Sequence, residues 1–260
     1  MVREDRRMPL REHLNELRRT LIRCSLLLVV LLFVGIAFDD VLLRFMYEPW
    51  AKTREALSPP NGPRDPGPLV YISAGEGMMS ALRVSFLFSV AGGAPFFIWE
   101  LWRFIGVGLL AKERAAVRRA FLPGLALFLV GLWFGFEVLL PLGLPAMVNY
   151  ISPDIAVSSV TLGNYLSLVV SMTLIMGAVF ELPLIMWAGV RAGIVERATL
   201  AKSRRAVVIG AAVFAAVITP TTDAINMLLV FFPLLVLFEL GLVLCLLAER
   251  ARARAEKELG

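Results

Sequence analysis

The chain alternates between long apolar runs and short charged segments, and six of the runs approach the length of a membrane crossing. A crossing helix needs about 20 mostly apolar residues to traverse roughly 30 Å of hydrocarbon at 1.5 Å per residue. The runs lie at 20–38, 78–99, 117–142, 162–190, 206–219 and 224–247. Each is read as a closed helix, because lipid offers no partner to an open backbone N–H or C=O. The expected architecture is therefore all-α, a single polytopic membrane domain over 1–260 with six transmembrane helices. The run at 206–219 is short: as a helix it reaches only about 21 Å, so the bilayer must thin there or neighbouring protein must cover it. Pro95, Pro123, Pro183 and Pro233 fall inside runs, where they predict kinks and freed carbonyls.

The segments between the runs set the orientation, since cytoplasmic loops carry the excess of Lys and Arg. Arg3, Arg6, Arg7, Arg11, Arg18 and Arg19 precede the first run; Arg103, Lys112, Arg114, Arg118 and Arg119 follow the second. Arg191, Arg197, Lys202, Arg204 and Arg205 follow the fourth, and Arg250, Arg252, Arg254 and Lys257 lie in the tail, 248–260. With six crossings all four groups share one face, so both termini are expected in the cytoplasm. On the other face 143–161 and 220–223 carry no Lys or Arg, and the long loop 39–77 sets Arg44, Lys52, Arg54 and Arg64 against six acids. That face is read as periplasmic. The Pro- and Gly-rich stretch 58–68 suits an exposed loop.

Composition agrees with the pattern. At 58% hydrophobic, 18% charged and mean hydropathy +0.77, the chain is too apolar for a soluble domain. The net charge of +5 does not point to nucleic acid, because the basic residues cluster between apolar runs instead of forming a patch. Cys24 and Cys245 sit in apolar stretches without CxxC spacing, so neither a disulfide framework nor a zinc site is expected. His13, the single histidine, reads as a partnered surface side chain, and His-dependent hydrolysis lacks material. A phosphate loop of the G-x-x-x-x-G-K-[ST] kind and intramembrane protease signatures are absent, so the chain is not read as an enzyme and no cofactor is expected. The first run ends in Asp39-Asp40 without a small-x-small cleavage site and reads as a retained anchor.

Three features carry candidate chemistry. Pro9 suits a helix first turn, and Leu10, Leu14, Leu17 and Leu21 recur on one stripe, so 9–23 is an amphipathic helix leading into the first crossing. Glu12 and Glu16 lie on its reverse face with Arg19 and Arg23, where surface ion pairing is the simplest reading. Glu181 stands near the middle of the fourth run, where an acid costs at least about 2.5 kcal/mol on insertion scales. Glu137, late in the third run, reads as an acid reaching for the membrane surface or as a second polar group in a cavity.

The segment Glu12-His13-Leu14-Asn15-Glu16-Leu17-Arg18-Arg19-Thr20-Leu21 resembles the opening of the TatC family. Further matches follow in order. They are Tyr47-Glu48-Pro49, Ala94-Pro95, Trp102-Arg103-Phe104-Ile105, Leu110-Ala111-Lys112-Glu113-Arg114, Phe180-Glu181-Leu182-Pro183, and Thr219-Pro220 with Asp223. The resemblance runs from Pro9 to Leu247 and rests on several short motifs at compatible positions on a six-crossing topology.

It implies a concave, glove-like bundle with short helices five and six in the bacterial inner membrane. It also implies a receptor of the twin-arginine translocase, which binds the signal peptides of folded cargo and works with TatA and TatB, driven by the proton-motive force. The resemblance further implies that the receptor self-associates in a multimeric complex within the lipid bilayer. Glu16 and Glu113 match the family's signal-binding acids, and two carboxylates suit two guanidiniums, whose planar forks accept bidentate pairing. Phe104 matches an aromatic for the apolar residue after the arginine pair; without the family it reads, with Trp99 and Trp102, as an interfacial belt. Arg18 and Lys112 complete the implied signal site, where Lys112 and Arg114 either keep Glu113 ionised or mask it. Glu181 and Pro183 match an intramembrane pocket for the single-span partners, and Pro49 and Asp223 match positions on the periplasmic side. Glu137 departs from the family pattern. The competing reading is a proton-coupled secondary transporter of a small solute, with Glu181 and Glu137 as its site.

Overall fold

The structure, a computed structural model, describes residues 10–57, 66–107, 111–148, 159–191, 193–219 and 224–258. Its first element, α1 (Leu10–Ala37), is one helix of 28 residues that contains both the amphipathic start and the first crossing. The segment is rich in Leu and Arg and holds no proline between Leu10 and Ala37, so the backbone ladder runs on unbroken from the amphipathic start into the apolar run. Its faces are inverted relative to a soluble amphipathic helix. Leu14, Leu21, Leu26 and Phe33 are exposed, whereas Thr20 is buried and Glu16 and Arg23 are partly covered. Lipid is the solvent for the leucine stripe, so polar groups gather against protein.

The polar face of α1 packs along α4 (Ala74–Val107), a 34-residue helix that continues through Pro95. Gly35 makes the approach close: a Cβ there would stand 2.9 Å from Cβ of Ser85. Between them the loop 39–77 is more structured than its composition predicts. It contains α2 (Asp39–Met46) and α3 (Glu48–Leu57), with Trp50 fully buried and its indole donating to Gly67 O at 3.2 Å. The hydroxyl of Tyr165 donates to Met46 O at 2.7 Å, which pins this layer to the bundle.

The third crossing is composite: α5 (Ala111–Trp133), a π-helical turn over Phe134–Leu139, then α6 (Leu140–Val148). No sequence signal pointed to the π turn, which widens the ladder from i→i+4 to i→i+5 over Phe134–Leu139. The fourth crossing is broken into α7 (Leu162–Phe180) and α8 (Leu182–Arg191). The break falls at Glu181, because Pro183, which is buried, has no N–H to continue the ladder. A parallel bridge, Val70 with Thr161, and the carboxylate of Glu76 tie the two loops at this end together; Glu76 accepts from Gly163 N at 2.7 Å and from Ile72 N at 2.9 Å.

The turn α9 (Arg197–Lys202) leads to α10 (Arg204–Ile218), whose 15 residues confirm that the fifth run is short, and α10 packs on α11 (Ala224–Glu258). The expectation of a short sixth helix is corrected: α11 runs 35 residues, because the Arg-, Ala- and Glu-rich tail favours helix and carries it past the apolar stretch. Among the described residues five helices are long and apolar enough to cross a membrane, namely Arg11–Ala37, Ala74–Phe104, Ala120–Val148, Leu162–Arg191 and Asn226–Arg250. The main core gathers Trp50, Leu140, Tyr165, Leu166, Met176 and Val230, and a smaller one gathers Ala94, Ile98, Trp102, Ala120, Leu184 and Ala188.

Candidate functional site

The last turns of α4 send their polar and aromatic side chains in different directions, and this divergence builds the site. An α-helix advances about 100° per residue, so Glu100 and Arg103 face α1 while Trp102 faces α5 and α8. Glu100 is 2% exposed. Its Oε2 lies 3.0 Å from Nη2 of Arg23 on α1 and 2.9 Å from Nη2 of Arg103, and accepts from the Thr20 hydroxyl at 3.4 Å. The same two Nη2 atoms donate to Oε1 of Glu16, at 3.3 Å from Arg23 and 3.1 Å from Arg103. Two carboxylates and two guanidiniums therefore alternate in a closed ring.

Burial makes the ring necessary. A carboxylate as covered as Glu100 is strongly penalised unless cations face it, and two do. The reading of surface pairing on the reverse face of α1 holds for Glu16 with Arg23, but the two members that α4 contributes, buried Glu100 and part-exposed Arg103, were not read as their partners. Glu100 closes the second apolar run and reads as the first loop residue. Its spacing of three from Arg103 at the end of that run is the signal that marks it.

Phe104 comes next along α4 and stacks on His13, with ring centroids 4.5 Å apart and planes inclined by 24°. His13 thus departs from the expected surface role: it carries a buried Nδ1 with no hydrogen-bond partner and an aromatic neighbour. The belt reading fails for Trp102, which is 1% exposed, while Trp99 is exposed and meets Phe121 edge-on at 5.4 Å. Arg18 is exposed and takes no part in the ring. Lys112 and Glu113 belong to the first turn of α5, but their side chains lie outside the described residues, and so does Asp223. Pro49 is buried in the first turn of α3, its carbonyl accepting the Thr53 hydroxyl at 2.8 Å, as a structural residue does.

On the opposite side of α4 lies Glu181, buried to 7% exposure at the break between α7 and α8, with no hydrogen-bond partner for either carboxyl oxygen. The Trp102 indole N–H is also unpartnered. The two are brought together by Gly124 of α5: a Cβ there would meet Trp102 Nε1 at 3.0 Å, Leu184 at 3.2 Å and Glu181 Oε2 at 3.4 Å. A helix without a side chain at 124 leaves a donor and an acceptor facing a shared point. Glu137 is elsewhere. It projects from the π turn to Nζ of Lys52 on α3 at 2.8 Å, so it does not share a cavity with Glu181.

Among the described residues no group of His, Cys, Asp and Glu could hold a metal ion. The arrangement offers ion pairing at one end of the bundle and an unsatisfied polar point within it.

Comparison with known proteins places these features in a family. The family model for Sec-independent protein translocase protein (TatC) matches residues 12–233. The TatC of Deinococcus radiodurans is 31% identical, over 91% of this chain and 85% of its own length. That of Xylanimonas cellulosilytica is 33% identical over 90% and 82%, and that of Carboxydothermus hydrogenoformans 26% over 92% and 93%. A crystal structure of the twin arginine translocase receptor TatC in DDM superposes with a TM-score of 0.77 at 25% identity, covering 89% of this chain and 98% of that one. With the motifs, the six-run pattern and the fold in agreement, the chain belongs to the TatC family, the Sec-independent protein translocase proteins.

Proposed function

We propose that this chain is the signal-recognising receptor of a twin-arginine translocase in the bacterial inner membrane. It spans the membrane six times, as one domain, with both termini in the cytoplasm. One observation carries the reading: Glu16, with about a quarter of its side chain exposed, already holds two guanidinium groups at 3.1 and 3.3 Å. A carboxylate suited to arginine at the charged end of α1 is the chemistry that a paired-arginine signal requires. Glu113 supplies the second acid from the start of α5, Phe104 packs the apolar residue after the arginines, and Arg18 and Lys112 border the site.

Glu181 and Pro183 supply the intramembrane contact for the single-span partners TatA and TatB. The unpartnered carboxyl supports this, since a polar group from a neighbouring helix would satisfy it. Export draws on the proton-motive force, and the receptor acts as a self-associated complex in the bilayer. A two-acid transporter site is disfavoured because Glu137 is committed to Lys52.

The test is binding of a synthetic signal peptide to the full chain in nanodiscs. An Arg-Arg peptide is expected to bind more tightly than its Lys-Lys counterpart, with Glu16→Ala and Glu113→Ala each weakening it. Equal binding of both peptides, indifferent to either substitution, would remove the receptor reading.

A further inference from the structure

We infer that Glu100 is a positioning residue that holds Arg23 and Arg103 over Glu16, so that a signal arginine binds by guanidinium exchange and not by entry into an open site. This rests on the receptor reading above. In the ring both Glu16 contacts use a single oxygen, Oε1, and both arginines use a single nitrogen, Nη2. Each contact is therefore a point contact, weaker than the two parallel N–H···O bonds of a fork. The Nε of Arg23 is buried without a partner, a further deficit of the resting arrangement.

Exposure separates the members that can move from the one that cannot. The side chains of Arg23 and Arg103 are 38% and 36% exposed, and that of Glu16 is 24% exposed, but that of Glu100 is 3% exposed. Glu100 must keep at least one cation at all times, because a covered, unpaired carboxylate is strongly disfavoured. Arg23 and Arg103 are both held by its Oε2, so either can withdraw from Glu16 without leaving Glu100 bare. An incoming guanidinium then takes Glu16 with a full fork. Lysine offers only a point charge and gains nothing over the internal arginine it must displace. The resident arginines thereby contribute to discrimination, acting against the wrong ligand.

The experiment measures affinity of the full chain in nanodiscs for two synthetic peptides that differ only in carrying Arg-Arg or Lys-Lys before an apolar segment. In Arg103→Gln the Arg-Arg peptide is expected to bind about fivefold more tightly, the scale of one partly exposed ion pair. The Lys-Lys peptide gains at least as much, so the Arg-to-Lys preference shrinks. The gain must vanish in Arg103→Gln/Glu16→Gln, which separates exchange at Glu16 from a general rise in negative charge. Arg23→Gln reads the same exchange from α1 should Arg103→Gln fail to fold. Unchanged or weaker Arg-Arg binding in a folded single variant overturns the inference, as does a gain that survives Glu16→Gln. If the wild-type chain fails to prefer Arg-Arg at all, the receptor reading itself fails, and the two failures are distinguishable.

Discussion

Trp102 and Glu181 face one point beside Gly124, the first with an unpartnered indole N–H and the second with an unpartnered carboxyl, both buried. Each unmade hydrogen bond costs about 1–3 kcal/mol when no partner replaces water. Glu181→Leu removes the carboxyl at similar size. It is expected to raise the stability of the isolated chain by about 1 kcal/mol or more while export in the assembled translocase is lost. Thermal melting in detergent and a cargo export assay check the two halves. A lower melting temperature for Glu181→Leu would mean that the carboxyl supports the bundle itself.

The α5–α7 contact depends on missing side chains. A Cβ on Gly131 would stand 2.6 Å from Met176 O and 2.8 Å from Cα of Gly177, both backbone atoms that cannot turn aside. A Cβ on Gly177 meets mainly side chains, Leu132 at 2.8 Å and Phe128 at 3.0 Å, which can re-rotamerise. Gly131→Ala should therefore destabilise by about 1–3 kcal/mol and Gly177→Ala by clearly less. Paired melting curves decide the order; equal losses would show that the helices shift apart freely.

The long apolar helices and the helix face that Glu16 shares with Arg23 were legible because apolar length and helical spacing are local properties of the chain. The breaks were legible only where a proline announced them: Pro183 marks the end of α7, whereas the π turn at Phe134–Leu139 has no marker in composition. Helices α2 and α3 were hidden inside a loop assignment because their runs are too short to show a period and draw their order from Trp50 and Tyr165, distant partners. The ring was half visible for the same reason. Glu16 and Arg23 share one helix face, but Glu100 and Arg103 meet them across 77 residues or more of chain, a pairing that depends on how α1 lies against α4.

The short helix α10 is tied at its start by Arg204, which donates through Nε and Nη2 to the two oxygens of Glu239 on α11, both at 2.8 Å. Both side chains are about half exposed, so the stability at stake is expected to be no more than about 1 kcal/mol. Position is the more sensitive readout. Arg204→Lys keeps the charge and loses the fork, and should broaden the distance distribution between spin labels on α10 and α11. A distribution identical to wild type in Arg204→Lys, with broadening only in Glu239→Gln, would show that charge alone suffices.

Lys52 joins α3 to the third crossing by reaching Glu137 at 2.8 Å, and it also pairs with Glu48 one turn back at 3.2 Å. The hydrogen bond that Lys52 donates to Glu137, followed by the one it donates to Glu48, raises the lysine above its ordinary 10.5. A cation whose folded pKa lies above its unfolded value contributes fully below the unfolded pKa and loses that contribution as pH rises through the folded one. The tie is therefore expected to be constant on raising the pH from 7 to about 10.5, the ordinary lysine value, and to loosen only above it. A spin-label distance between α3 and the π turn should follow that course in the wild type and be long at every pH in Lys52→Met. Glu137→Leu separates the two partners: Lys52 keeps Glu48 within its own helix, yet the acceptor on the third crossing is gone, so the distance should lengthen already at neutral pH. If Glu137→Leu leaves the distance unchanged, α3 is held by the burial of Trp50 and not by this ion pair.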